Sequence, residues 1–143
     1  MRRLILETDG ASRGNPGLAG AGIIIKDERG RKLESLHSFL GVTTNNQAEY
    51  QALIQGLEAV SRHNPDAVLV QMDSELVVKQ MNGQYRVRSP EIVPLFTQAV
   101  ELVTTLPDVS FVHIPRERNR GADRLSNLAI DSRMLTGRAD HTD

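Results

Sequence analysis

Cysteine is missing altogether from these 143 residues, which excludes disulfide bridges, thiolate–zinc sites and a cysteine nucleophile. Tryptophan is missing too, and two tyrosines with three phenylalanines bring the aromatic share to only 3%. A core must therefore come from Val, Leu, Ile and Ala, and few stacking platforms remain for single-stranded nucleic acid. No uninterrupted apolar stretch approaches the roughly 20 residues that a membrane-spanning helix requires. The opening residues, Met1-Arg2-Arg3-Leu4-Ile5-Leu6, are basic then apolar, but Glu7 and Asp9 interrupt them too early for a signal peptide. The expectation is a cytoplasmic monomer with no membrane association and no implied protein partner.

What is present is ordinary in bulk and unusual in detail. Hydrophobic residues make up 39% and charged residues 24%, a globular balance at a length that suits one core. Net charge is −1, yet arginine supplies 14 of the 17 basic residues. Arg116, Arg118, Arg120 and Arg124 gather in one stretch, and Arg86 with Arg88 form a smaller pair. Beside clustered acids, guanidinium groups suit a polyanionic substrate such as a nucleic acid.

Apolar periodicity reads residues 3–9, 20–26, 32–39, 67–72 and 109–114 as strands. Helices are expected from about Thr43–Asn46 to Arg62, over 74–82, for about 14 residues from Ser89-Pro90-Glu91, and over about 120–132. The order β-β-β-α-β-α-α-β-α implies an α/β fold, an antiparallel meander continued into a mixed sheet with helices packed on it. One domain is expected over 1–133, followed by a polar C-terminal tail over 134–143.

Four carboxylates stand where a soluble domain rarely places negative charge. Asp9 and Asp73 each end an apolar run, Glu49 shares a helical stripe with Ala52, Leu53, Gly56 and Val60, and Asp123 opens the last helix. Singly, each has an ordinary explanation. Asp9-Gly10 suits a turn, Asn46-x-x-Glu49 suits a capping box, Asp73 suits an N-cap, and Asp123 suits a helix dipole. Jointly, with the two strands as parallel neighbours, the acids converge at one sheet edge, and a cation reconciles them. Oxygen ligands without cysteine favour Mg²⁺ or Mn²⁺, and two such ions about 4 Å apart hydrolyse phosphodiesters. The loop Ala11-Ser12-Arg13-Gly14-Asn15-Pro16-Gly17 offers backbone N–H groups that suit a phosphate or ribose.

The ordered set Asp9-Gly10-Ala11-Ser12-Arg13-Gly14-Asn15-Pro16-Gly17, Thr44-Asn45-Asn46-Gln47-Ala48-Glu49, Asp73-Ser74, and Asn119 with Ala122-Asp123 resembles type 1 ribonuclease H. The resemblance implies a ribonuclease H-like fold, a five-stranded mixed sheet with strand 2 antiparallel to the rest and helices on its flanks. It also implies endonucleolytic, sequence-nonspecific cleavage of the RNA strand of RNA–DNA hybrids, leaving 5′-phosphate and 3′-hydroxyl ends. By position, Asp9, Glu49, Asp73 and Asp123 would be the catalytic ligands of two Mg²⁺ or Mn²⁺ ions per site. Gly10, Ala11, Ser12, Asn15, Asn46, Gln47 and Ser74 would face the hybrid, with Thr44 and Asn45 toward its DNA strand. Two departures stand out. The histidine-bearing loop of many members is shortened to Val112-His113-Ile114-Pro115-Arg116-Glu117-Arg118-Asn119, leaving His113, Arg116 or Arg118 as auxiliary groups. The basic, Trp-bearing protrusion of some members has no counterpart between Gly83 and Pro94. Competing readings are a resolvase-like or integrase-like DNA nuclease and a hybrid-binding module without turnover.

Overall fold

The computed structural model describes residues 1–142, with side chains through 133. Five strands form one sheet: β1 (Arg3–Ser12), β2 (Gly17–Asp27), β3 (Lys32–Thr43), β4 (Ala67–Met72) and β5 (Val109–His113). Their spatial order is β3-β2-β1-β4-β5. Strand β2 runs antiparallel to both β1 and β3, whereas β4 is parallel to β1 and to β5. The fold class and the antiparallel second strand are as the sequence predicts. Because β1, β4 and β5 point the same way, residues that follow their C-terminal ends meet at one edge.

Helices α1 (Asn45–Ser61), α2 (Glu75–Met81) and α3 (Val93–Thr104) are joined by a 3₁₀ turn (Arg116–Arg118) and a final helix, α4 (Arg120–Thr142). The main core is aliphatic, as the aromatic shortage requires. Leu4 and Leu6 of β1 and Val68, Val70 and Met72 of β4 pack with Leu53, Leu57 and Val60 of α1. Tyr50 is the large aromatic exception, fully buried, with its hydroxyl donating to Gln80 at 2.6 Å.

Helix α4 packs on the other face, chiefly over β2, and glycine permits it. A Cβ at Gly22 would stand 2.0 Å from the carbonyl oxygen of Ala122, and one at Gly20 would stand 2.2 Å from that of Ser126. Neither distance is tolerable, so helix backbone lies directly against strand backbone.

Several boundaries differ from the sequence reading. Strand β1 runs on to Ser12 because Gly10, Ala11 and Ser12 stay paired with Ala21, Gly20 and Ala19. Strands β2 and β3 lengthen together, reaching a Gly17–Thr43 pair. Helix α3 begins at Val93 rather than near Ser89, after a turn closed by Ile92 N–H on the Ser89 carbonyl. Pro94, which lacks an N–H, then sits in the first helical turn. The last helix continues to Thr142 instead of ending near 132, so the backbone of the expected tail over 134–142 is helical. No proline interrupts that stretch. Its side chains lie outside the described residues.

Candidate active site

Strand β1 delivers Asp9, the residue after β4 is Asp73, and the second turn of α1 delivers Glu49. One carboxylate oxygen from each of the three lies within 4.8 Å of the others. Asp9 and Glu49 are buried, and Asp73 is half-buried. Asp123 comes from α4 on the opposite face of the sheet and flanks this trio.

The capping alternatives that the sequence left open are taken by neighbouring residues. Thr44 caps α1, its side chain accepting from Gln47 N–H, while the Gln47 side-chain oxygen accepts from the Thr44 N–H at 3.0 Å. That closes a capping box two residues before Asn46 and Glu49. Ser74 caps α2 by accepting from Val77 N–H at 3.3 Å, which relieves Asp73 of the same duty. Glu49 is thereby available to accept from Gly10 N–H at 2.6 Å. Gly10 must be glycine for this, since a Cβ there would stand 2.1 Å from the Ala48 carbonyl oxygen.

The charges sit in one another's field. Asp9 is pushed up to about 9, first by burial and then by the charges of Glu49, Asp73 and Asp123. Glu49 is pushed up to about 8, mainly by burial, against the opposing Gly10 N–H bond. Arg116 places its guanidinium 3.8 Å from Asp123 and is 78% exposed, so it remains accessible to an incoming anion. Asn119, fully buried, donates to the Thr8 carbonyl at 3.0 Å and to Asp73 at 3.2 Å.

An open cleft of about 520 Å³ holds Asp9, Glu49 and Asp73, with Gly10, Ala11, Ser12, Asn45, Asn46 and Ser74 on its walls and Arg116 and Asn127 at its sides. A second depression, about 390 Å³, continues past Asn15, Thr44, Asn45 and Asn46 toward Ser89 and Glu91. The predicted contact residues are thus spread along one continuous surface. Gln47 is the exception, its amide oxygen engaged by Thr43 and Thr44. Of the three auxiliary candidates only Arg116 lines the cleft. His113 and Arg118 are exposed, and the charge of His113 bears on Glu75.

Sequence reasoning overlooked Arg13, Ser126 and Asn127 at this site. Arg13 pairs with Asp131 at 2.7 Å and reaches the Asn127 side chain at 3.3 Å, tying the glycine-rich loop to α4. Ser126 and Asn127 follow Asp123 by three and four positions, a spacing that puts all three on one helix face. That spacing was the available signal.

A mixed sheet of this order, with acids collected at the C-terminal edge of its parallel strands, defines a ribonuclease H-like protein with an acidic centre. A family model described as "Reverse transcriptase-like" matches residues 7–129. Ribonuclease HI of Halobacterium salinarum is 42% identical over 123 residues, covering 86% of this chain and 62% of the relative. The bifunctional protein Rv2228c of Mycobacterium tuberculosis is 38% identical over 139 residues, covering 96% of this chain but only 38% of the relative. This chain therefore spans under two thirds of either relative's length. Among solved structures, the N-terminal RNase H domain of the same mycobacterial protein superposes with a TM-score of 0.91 at 37% identity, covering 96% and 99% of the two chains. An LC11-RNase H1 structure in complex with RNA/DNA hybrid gives a TM-score of 0.88 at 44% identity, covering 92% and 99%. This chain belongs to the type 1 ribonuclease H family.

Proposed function

We propose that this chain is a hydrolase that cuts the RNA strand of RNA–DNA hybrids internally, leaving 5′-phosphate and 3′-hydroxyl ends. The observation that carries the reading is the convergence of Asp9, Glu49 and Asp73 in an open polar cleft, with Asp123 close enough to act on Asp9. The LC11-RNase H1 complex supplies the substrate class by similarity.

The residues present fit divalent cations. Their donors are all carboxylate oxygens, and burial leaves two of them costly to ionise unless positive charge is supplied. Asp9, Glu49, Asp73 and Asp123 would hold two Mg²⁺ or Mn²⁺ ions. Bound there, such ions would supply the Lewis acidity that activates water and the positive charge that offsets a phosphodiester.

The chain's own groups do the remaining work. Gly10 N–H fixes Glu49, and Asn119 fixes Asp73, so two ligands are oriented before substrate arrives. Arg116 meets the phosphate from the solvent side. Gly10, Ala11 and Ser12, with Asn46 and Ser74, present backbone and short polar groups to the 2′-hydroxyls, the groups that distinguish RNA from DNA. Contacts of that kind do not read base sequence.

The test is cleavage of a hybrid with end-labelled RNA, in Mg²⁺, Mn²⁺ or EDTA, beside single-stranded RNA, double-stranded RNA and duplex DNA. Metal-dependent cutting confined to the RNA of the hybrid is expected. Cutting of DNA instead, or hybrid binding with no cutting under either ion, overturns the proposal.

A further inference from the structure

Each of the three clustered acids is held from outside by a donor on another element. Glu49 has the Gly10 N–H of β1, and Asp73 has the Asn119 amide that precedes α4. The third donor is Ser126, whose hydroxyl lies 3.2 Å from Oδ2 of Asp9, across 117 positions of sequence. Resting on the cation-site reading above, we propose that Ser126 is a positioning residue of that centre, its buried hydroxyl fixing the carboxylate of Asp9.

A serine inside a helix commonly bonds the carbonyl one turn back, and Ser126 does so toward Asp123 at 2.7 Å. That local bond accounts for a tolerated serine, not for its aim at another element. The hydroxyl carries one proton and two lone pairs, and it lies within reach of both the Asp123 carbonyl and Asp9 Oδ2. Ser126 is fully buried, and water does not compete for it.

Its place is set by backbone rather than by side-chain preference. The Ser126 carbonyl oxygen lies 2.2 Å from where a Gly20 Cβ would be, and the Ser126 N lies 2.7 Å from a Gly22 Cβ. Strand β2 pairs Gly22 with Asp9 in register. The glycine that admits the helix therefore sits directly beside the acid that the helix then grips. Removing the hydroxyl leaves the cluster complete in ligands but frees the Asp9 carboxylate to rotate.

The test uses the full chain with Ser126→Ala and Ser126→Cys, the second keeping a weak donor of similar size. Calorimetric titration with Mn²⁺, without nucleic acid, reads cation affinity directly. Melting in EDTA and in saturating Mn²⁺ separates positioning from structural support. Expected for Ser126→Ala is a rise of about tenfold in half-saturating Mn²⁺, the scale of a lost hydrogen bond to a charged group. Ser126→Cys should fall between, melting in EDTA should change little, and the KM for hybrid at saturating Mn²⁺ should hold.

An unchanged Mn²⁺ isotherm in both variants overturns this inference while leaving the cation site standing. Equal loss of melting temperature in EDTA and in Mn²⁺ also overturns it, by assigning Ser126 a purely structural role. If the unaltered protein takes up no Mn²⁺, the cation reading itself fails, and this inference with it.

Discussion

Asp9 and Glu49 keep protons in the folded chain that they would release in the unfolded one, and this makes cation-free stability depend on pH. Their folded values are raised to about 9 and about 8 from ordinary carboxylate values. A raised carboxylate means that the native state binds more protons than the unfolded state, so stability falls as pH increases. The melting temperature in EDTA should therefore decline between about pH 5 and pH 9. Asp9→Asn should flatten that decline, and added Mn²⁺ should stabilise the unaltered protein more as pH rises. A pH-independent melting temperature in EDTA would contradict the buried-acid description. Replacement of Asp73 by Asn keeps size and polarity but removes a ligand charge. Its expected result is loss of cleavage by at least a thousandfold with an unchanged circular dichroism spectrum.

At the scale of single elements, the strands and helices were legible because their apolar spacing is regular. Strand β4, over Ala67–Met72, matched the sequence reading residue for residue. Boundaries failed where partners decided them. Ser12 is strand because Ala19 pairs with it, and nothing in Ala11-Ser12-Arg13 announces that. Capping failed by register, because Thr44, Asn45 and Asn46 all suit an N-cap, and only the placement of Gln47 chose Thr44. Thr44→Ala should cost about 1 kcal/mol of stability, measured by urea unfolding, with the acid cluster intact. The structure gathers three of the four acids in one group; Asp9 and Asp73 were legible because they end apolar runs, and Glu49 because it shares the apolar stripe of α1. The flanking place of Asp123 was not legible, since it depends on how closely α4 approaches β2. Gly22→Ala tests that approach directly. The added methyl collides with the Ala122 carbonyl, so a loss of about 1–3 kcal/mol from overpacking is expected. Withdrawal of Asp123 should lower cleavage by at least tenfold, and full activity in a folded Gly22→Ala protein would refute the coupling.

For the whole molecule, the balance of charge bears on how tightly a nucleic acid is held. The net charge is −1, and the connection between α2 and α3 carries only Arg86 and Arg88 as basic side chains, both exposed. That connection can neutralise few phosphates, so its share of hybrid affinity should depend only shallowly on salt. Grafting a lysine-rich helical segment between Gly83 and Pro94 should tighten hybrid binding and steepen that dependence. Titration of labelled hybrid at several salt concentrations reads both effects, and an unchanged affinity would argue that the chain grips its substrate elsewhere.

The contact between Gly10 and the Ala48 carbonyl carries one more consequence. It joins the strand that bears Asp9 to the helix that bears Glu49 through main-chain atoms, so the two backbones cannot separate by a rotamer change, and the Gly10 N–H and the Ser126 hydroxyl hold the carboxylates on that frame. A gap of fixed width discriminates ions by radius. Mg²⁺ seats its oxygens at about 2.0–2.1 Å, whereas Ca²⁺ requires about 2.3–2.6 Å and more of them. Calcium should thus lodge in the centre without reproducing the geometry needed for hydrolysis, and act as a competitor of magnesium rather than its substitute.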